Sequence, residues 1–326
     1  MKRLSFVAAT ATAVLLASLP AVALADAAHD LKDIRGGQLP VRYDWLGWDG
    51  NTAHFRTLVC SEGGTTSCTA AIVKQTGVKT DRIDLLSVQE VYCDGKSPCA
   101  ALDAATASRF VKAERVANAA MKALAPGAIV ADPSHVFGAV AGEATTVSVR
   151  AHDVTQADGN PKIVVELVLN GKGGALETLG VLDPAVFRVH GSSVQGTHVS
   201  PDGKTAAFAV QIAYGVMCWD FTNLPTVVVD IARKRSSLAN TIGWRAYRRG
   251  DIAASLAGFT EATTLDASYA LGWYNRASVE SRNGDLVSAK ASFEKALKLD
   301  PAFARRACKD RDFNALRAAA PSLFGC

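Results

Sequence analysis

The C-terminal third of the chain contains an internal repeat with a period of 34 residues. The residues that return at this spacing are Gly250-Asp251 as Gly284-Asp285, Phe259 as Phe293, Ala262 as Ala296, and Leu265-Asp266 as Leu299-Asp300. A sequence that repeats at a fixed spacing of this size builds similar supersecondary units, which bury their apolar faces by stacking on one another. We therefore expect two similar units between about residues 236 and 301.

The residue types in each unit indicate two helices joined by a tight turn. Gly250 and Gly284 stand where a first helix ends, because glycine adopts the left-handed conformation of a helix C-terminus at little cost. Asp251 and Asp285 follow directly, where a carboxylate can cap the free amides that begin a second helix. Small side chains let the paired helices approach and large ones fill the space around them, namely Ala277, Ala289, Ala296, Trp273, Phe293 and Leu297.

This pattern resembles the tetratricopeptide repeat, a helix–turn–helix unit of about 34 residues. A second repeat that starts at Ala270 places signature-type residues at Trp273, Ala277, Gly284, Ala289, Phe293, Ala296 and Pro301. The first repeat, from Ser236, is weaker, because Ala239 and Ala267 replace the expected aromatic residue and proline. The resemblance implies a module that binds a protein or peptide partner.

The resemblance also implies which side chains would contact that partner, since the first helix of each repeat lines a concave groove in this family. The corresponding residues here are Asn240, Trp244, Tyr247, Arg248, Tyr274, Ser278, Ser281 and Arg282. The alternative is that this face packs on the preceding domain, with Trp244 and Tyr247 in the interdomain core.

Two repeats are fewer than the about three that an independent solenoid needs, so both ends of the array require a cover. We expect residues 302–326 to form a capping helix and cover one end, with Phe313, Leu316 and Leu323 packed on the last open face. The preceding domain is expected to cover the other end.

The first 25 residues have the pattern of a secretory signal peptide. Met1-Lys2-Arg3 is basic, residues 6–24 are apolar, and Ala23-Leu24-Ala25 has the small residues of a cleavage site. A retained membrane anchor is the alternative interpretation. No later apolar run is long enough to span a bilayer, so we expect export to the periplasm or the exterior after cleavage near Ala25, without a stable membrane anchor.

Charge and composition indicate two folded domains. Removal of two basic residues with the leader lowers the formal net charge from +4 to +2, which predicts neither a nucleic-acid nor a membrane partner. An apolar share of 49% with 20% charged residues is typical of a folded chain. We predict an α+β protein in which a β-rich domain spans residues 26–235 and the helical repeats span residues 236–326.

All seven cysteines follow the leader, and export implies an oxidising compartment. Local spacing favours the disulfide pairs Cys60–Cys68, Cys93–Cys99 and Cys308–Cys326, which leaves Cys218 unpaired. A zinc site is the alternative, but the chain has no C-x-x-C motif and its histidines do not cluster with its cysteines. Cys218 is interpreted as a buried thiol rather than a nucleophile, and we expect no metal and no cofactor.

Turn residues between alternating apolar runs predict consecutive β-hairpins from Val41 onwards. One long helix is expected over residues 100–124, with Phe110, Ala113 and Ala117 on the stripe that covers a sheet. We expect residues 26–39 to be a mobile lead-in and residues 191–193 to form a turn.

A second internal similarity lies in the β-rich part, where Asp202-Gly203 repeats Asp49-Gly50 before a strand of alternating apolar and polar residues. The phrase Ser200-Pro201-Asp202-Gly203-Lys204 resembles the blade hairpins of TolB-type β-propellers and a family of uncharacterised predicted secreted proteins. Two copies are too few for a propeller of four or more blades. We expect two related hairpins in one twisted sheet or sandwich.

Catalytic motifs are absent from the sequence, which contains neither H-E-x-x-H nor G-x-S-x-G. Turn roles explain Asp202 and Asp220 without catalysis, and no catalytic residue is predicted. A triad assembled from distant residues stays open, since triads are defined by geometry. The preferred hypothesis is an exported, non-enzymatic interaction protein. The alternative is a hydrolase or ligand-binding β domain that the repeats merely support, with His190, His198 and carboxylates gathered in one cleft.

Overall fold

The structure, a computed structural model, describes residues 27–62, 66–91, 97, 100–120, 124–155, 161–182, 188–216 and 219–326. Its N-terminal part consists of antiparallel sheets with covering helices, and its C-terminal part consists of paired helices. The predicted α+β fold is therefore confirmed. Within the described ranges, no helix combines the length and apolar character needed to span a bilayer.

The first sheet is a meander of four strands with helices on one face. The elements are α1 (Ala27–Arg35), β1 (Val41–Asp49), β2 (Thr52–Glu62), β3 (Thr66–Thr76), β4 (Lys79–Gln89) and α2 (Ala104–Ala120). Ile34 of α1 and Phe110 of α2 are fully buried against Leu58 and Ile72 of the sheet. Helix α2 thus covers a sheet face, as its apolar stripe predicts.

Two further sheets follow in the chain. Their strands are β5 (Ala128–Ile129), β6 (Thr145–Thr155), β7 (Pro161–Gly171), β8 (Leu176–Val181), β9 (Arg188–Val199), β10 (Thr205–Val216), β11 (Trp219–Asn223) and β12 (Thr226–Asp230). The second sheet has the order β11-β10-β9-β5, with β12 also paired to β10, and the third has the order β6-β7-β8. The two Asp-Gly hairpins therefore lie in two facing sheets.

Strand β10 is buried on both of its faces, which places the second sheet at the centre of the N-terminal part. Ala207 packs with Phe55 and Val73 of the first sheet. Phe208, the next residue, points to the opposite side and packs with Leu167 of the third sheet. Successive side chains of a strand alternate between faces, so this one strand connects both neighbouring layers.

The helical part begins where β12 ends. Its helices are α3 (Ile231–Arg248), α4 (Ile252–Leu265), α5 (Ala270–Arg282), α6 (Leu286–Leu299), α7 (Phe303–Lys309) and α8 (Asn314–Ala319). Gly250 and Gly284 have φ of 79° and 86°, and the carboxylates of Asp251 and Asp285 accept hydrogen bonds from the amides of Ala254 and Ser288. The predicted helix ends and caps are confirmed in both repeats.

Both ends of the repeat array are covered, as the repeat number requires. At one end Leu238 and Ile242 of α3 belong to the same apolar core as Leu167 and Phe208 of the sheets. At the other end Phe313, Leu316 and the partly buried Leu323 pack in a cluster around Phe293. The array is thus held between the β layers and the C-terminal cap.

Two of the predicted disulfides are present. Cys60 and Cys68 face each other across β2 and β3 with their Cα atoms 4.1 Å apart. Cys308 and Cys326 join α7 to the C-terminus, with a Cα–Cα distance of 5.9 Å. The predicted Cys93–Cys99 pair, Cys218 and the predicted signal peptide lie outside the described residues.

Two local predictions are wrong. Residues 26–39 were expected to be a lead-in without structure, whereas α1 forms there because its buried face is held by ion pairs from distant strands. Residues 191–193 were expected to be a turn, but they lie inside β9 and pair with β10 in register.

A buried ionic cluster holds α1 and α2 to the first sheet. The guanidinium of Arg56, whose side chain is 1% exposed, pairs with Asp30 of α1, with Glu114 of α2 at 2.7 Å and with Asp44 of β1 at 3.2 Å. Burial alone would lower the pKa of Arg56, but the surrounding carboxylates outweigh it and raise the pKa. Burial raises the pKa of Asp44 and of Glu114. Both of these acids pair with Arg56, whereas Asp30 also pairs with Arg42.

Replacement of Arg56 by methionine is expected to destabilise the protein by about 3–5 kcal/mol, because it leaves the buried carboxylate of Glu114 without a countercharge. Urea unfolding measures the effect. Arg82→Met is the matched control, since Arg82 pairs with Asp84 on an exposed strand and should change stability by less than about 1 kcal/mol. Equal effects of the two substitutions would contradict the assigned role of Arg56.

Acid should destabilise the protein through His198. Burial lowers the pKa of this side chain from 6.5 to about 4, so between these values the unfolded chain binds a proton that the folded chain does not. Stability is therefore complete above pH 6.5, falls as the pH drops towards 4, and loses at most about 3 kcal/mol from this group. His198→Gln should remove this part of the pH dependence in unfolding measurements, while His190→Gln, an exposed control, should keep it.

Candidate partner-binding groove

The first helices of the two repeats, α3 and α5, lie side by side and border an open pocket of about 320 Å³. Its lining combines two asparagines, an aromatic ring, two smaller side chains and a cation: Asn240, Thr241, Trp244, Leu271, Asn275 and Arg306. Arg306 comes from α7, beyond the repeats, and borders the pocket. The pocket lies on the face that the repeat resemblance assigns to a partner.

A pair of amide side chains forms the polar part of this pocket. Asn275 Nδ2 donates a hydrogen bond of 2.8 Å to Asn240 Oδ1, and both side chains are buried. The amide nitrogen of Asn240 and the carbonyl oxygen of Asn275 make no hydrogen bond with any described residue. One donor and one acceptor thus remain for a molecule in the pocket.

An aromatic wall flanks the pocket on α3. Trp244 is 48% exposed, and its ring stacks on Tyr247 one turn later with centroids 5.2 Å apart and an angle of 14°. The guanidinium of Arg282 lies 5.0 Å from the centre of the Tyr247 ring. Trp244 is thus too exposed to be part of a core with the β sheets, and Tyr247 contacts Arg282 of the neighbouring repeat helix.

The chain's own C-terminal segment covers the other half of the face. The Tyr247 hydroxyl donates to the Asp312 carboxylate, and Ser278 Oγ donates to the same carboxylate at 3.2 Å. Ser281 Oγ donates to the backbone carbonyl of Asp312 at 2.7 Å. Arg282 Nη1 lies 3.8 Å from the Asp312 carboxylate, so one aspartate engages four of the eight candidate residues.

Tyr274 belongs to the cap rather than to an open groove. It is 1% exposed, and its ring packs against Phe303, Phe313 and Phe293 with centroid distances of 4.7, 5.1 and 6.4 Å. Its hydroxyl donates to Asp310 at 2.8 Å. Burial, followed by this hydrogen bond, raises the pKa of Tyr274 well above its ordinary value, so it stays protonated and cannot meet a partner.

The open side of the face carries unpaired positive charge. Arg248 is exposed and forms no ion pair with a described residue. Arg306 is also exposed, and its guanidinium lies 4.7 Å from the centre of the Tyr274 ring. No carboxylate of the described residues pairs with it. These two cations differ from Arg276, which is paired with Glu280 on its own helix.

The eight candidate residues therefore fall into two groups. Asn240 and Trp244 line the open pocket and Arg248 is exposed nearby, whereas Tyr247, Tyr274, Ser278, Ser281 and Arg282 engage the C-terminal segment. Sequence reasoning missed Thr241, Leu271, Asn275 and Arg306. Asn240 and Asn275 are 35 residues apart, one more than the repeat period. A search for identical residues at spacings of 34 and 35 would have found the pair. Arg306 lies beyond the repeats and gave no such signal.

No second cluster of catalytic character is seen among the described residues. His198 is stacked on Trp45 with centroids 4.0 Å apart and has no carboxylate contact, while His190 is exposed further along β9. Asp202 accepts hydrogen bonds from Ser200 and from the Lys204 amide and shapes the β9–β10 turn. Within the described ranges, no three His, Cys, Asp or Glu side chains could hold a metal ion.

Residues 270–303 match the family model described as tetratricopeptide repeat. This match covers the second of the two repeats and one wall of the open pocket. No curated protein and no solved structure matches the chain.

Substitution of Asp312 by alanine should loosen the cap, because Tyr247 and Ser278 lose a shared acceptor. The expected cost is about 1–3 kcal/mol in urea unfolding. Trypsin cleavage after Arg311 should accelerate in the same variant. Glu294→Ala serves as the control, since Glu294 forms an exposed pair with Lys290 on α6; a cap that resists trypsin equally in both variants would refute the role of Asp312.

Proposed function

We propose that this protein is an exported, non-enzymatic protein that binds a short extended segment of a partner protein in the pocket between α3 and α5. The observation that carries the proposal is the open pocket on the first helices of the repeats. The family match at residues 270–303 supports a protein partner, because tetratricopeptide repeats commonly bind proteins.

The amide pair supports an extended peptide as the ligand. Asn240 and Asn275 offer one donor and one acceptor side by side, which is the complement of a peptide unit. Trp244 beside them offers a half-exposed aromatic surface, the residue type most often found at interface hot spots. A main-chain segment held by the amides could thus place a side chain against Trp244.

The charges favour an acidic partner segment. Arg248 and Arg306 at the open side form no ion pair with a carboxylate of the described residues. A carboxylate of a bound partner would supply this countercharge. The chain itself provides an example on the adjacent half of the face, where Asp312 is held by Tyr247 and Ser278. An Asp or Glu side chain in the partner fits the same type of surroundings.

Export is the second part of the proposal. Two disulfides are compatible with an oxidising compartment, and the first 25 residues have the pattern of a leader. Release of a fragment that starts near residue 26 into the periplasm or medium would test this part separately, by mass spectrometry of the secreted protein.

The binding site is tested with a photo-crosslinking amino acid placed at Thr241 in the full chain, expressed in its native host. A partner in the pocket should crosslink there, and the crosslink should be lost when Trp244→Ala or Arg306→Ala is added. A loss of about tenfold or more is expected for Trp244, as for an interface anchor.

The control position for the crosslinker is Val287, which is 84% exposed on α6, the second helix of its repeat. A partner that crosslinks equally from Val287, or that persists undiminished when Trp244 and Arg306 are replaced, would show that the pocket is not the binding site.

A further inference from the structure

A second cleft lies between the first and second sheets, on the side of the molecule's β layers away from α1 and α2. It measures about 420 Å³, within the range of pockets that hold small molecules. Its floor is the inner face of β2, β3 and β4, and its wall is formed by β10, β11 and the segment that leads into β12. The lining residues are Phe55, Thr57, Val59, Thr69, Val73, Gln75, Thr80, Arg82, Tyr214, Thr222, Leu224, Pro225 and Thr226.

The cleft begins where close packing between the two sheets ends. Phe55 and Val73 pack with Ala207 and Val228 on their inner side and also border the cleft. Beyond them the facing side chains change from apolar to polar. The floor is fully paired sheet, because β2 and β3 exchange hydrogen bonds along this whole stretch.

Five threonines line the cleft, and none of their hydroxyls has a hydrogen-bond partner among the described residues. Thr57 is 6% exposed, so its hydroxyl is withdrawn from bulk solvent except through the cleft. Thr226 Oγ1, on the opposite wall, is buried and unsatisfied. The other three are Thr69, Thr80 and Thr222.

Several threonines elsewhere in the structure bond their hydroxyls within the protein, although Thr197 Oγ1 is buried without a partner. Thr52 bonds to Thr76 at 2.7 Å, Thr145 donates to a backbone carbonyl at 2.7 Å, and Thr241 does so at 3.1 Å. Buried polar groups without partners cost free energy. Thr226 Oγ1 is such a group, and the four other threonines line the same cleft, so a polar molecule bound there would complete the hydrogen bonds of these hydroxyls.

The described part of the lining carries little charge. Among the described side chains no acid lines the cleft, and the one cation, Arg82, is paired with Asp84 on the same strand at 2.6 Å. Gln75 adds an amide whose nitrogen donates to the Gly77 carbonyl. The remaining surface comes from Val59, Leu224 and other apolar side chains, so the cleft offers hydroxyls on an apolar background.

We propose that this cleft binds a neutral, hydroxyl-rich ligand of the size of a mono- or disaccharide. A sugar hydroxyl both donates and accepts, as a threonine hydroxyl does, and the carbon faces of a sugar ring suit apolar neighbours. An anionic ligand would meet Arg82, which is already paired with Asp84. A fully apolar ligand would leave the threonine hydroxyls without hydrogen-bond partners. The central floor strands β2 and β3 are paired on both of their edges, so a partner strand could not add to them.

The cleft is rigid enough to be formed before the ligand arrives. Val59 and Thr69 pair across β2 and β3, and the Cys60–Cys68 bridge joins the next residues of the same two strands. A site that is held in its bound shape loses less entropy when it binds.

The test titrates the full chain with glucose, galactose, N-acetylglucosamine and maltose, and with glucuronate as an anionic probe, by calorimetry and saturation-transfer NMR. We expect at least one neutral sugar to bind with Kd on the order of 1 mM, as for a small ligand held by a few hydrogen bonds. Thr57→Val and Thr226→Val should each weaken that binding about tenfold. Thr226→Val removes an unsatisfied hydroxyl, so this variant is expected to fold at least as well as the parent.

Thr52→Val is the matched control, because Thr52 lies on the same strand as Thr57 but outside the cleft. Thr80→Ala is a further cleft variant for the same binding measurement. Thr80 lies at the exposed rim, so its replacement is not expected to disturb folding. The proposal is overturned if no neutral probe binds up to about 50 mM, a limit far above the expected Kd, if glucuronate binds more tightly than every neutral sugar, or if the cleft variants bind as well as Thr52→Val.

Discussion

The packing of β10 on both faces is the constraint on which the other layers depend. Ala207 and Phe208 are neighbours in the chain, yet they belong to two separate cores, one against the first sheet and one against the third sheet and α3. The small side chain lets the first sheet approach closely, while the large one fills the opposite core. β12 pairs with the same part of β10 and continues into α3, so the position of the repeats follows from this strand.

Charge adds to apolar packing in holding α1 and α2 to the first sheet. Arg56 is surrounded by acids from three different elements and is withdrawn from solvent, an arrangement that is costly to desolvate but highly selective for one geometry. The backbone amide of Ala27 also donates to Glu114. The start of the described chain is thereby fixed at the same point as the two helices.

The sequence predicted features whose cause is local and missed those whose cause is distant. Gly250 and Asp251 end one helix and begin the next by their own conformational and hydrogen-bonding preferences, so the period of 34 residues was enough to place both hairpins. Helix α1 has few apolar residues and depends on Arg56, which lies more than twenty positions away. Gly191 and Ser192 favour turns, but pairing with β10 overrides that preference. The division of the groove depends on the path of residues 310–313, which no repeat position encodes.

The two covered ends of the repeat array also fix its length. A repeat array can grow by adding units, because each new unit covers the exposed face of its neighbour and exposes a similar face of its own. Here α3 shares its core with the sheets at one end, and the cap fastened by Cys308 and Cys326 closes the other. An added unit would have to displace one of these covers and would move the pocket relative to Arg306. Variation among descendants of this chain should therefore accumulate in the pocket side chains rather than in the number of repeats.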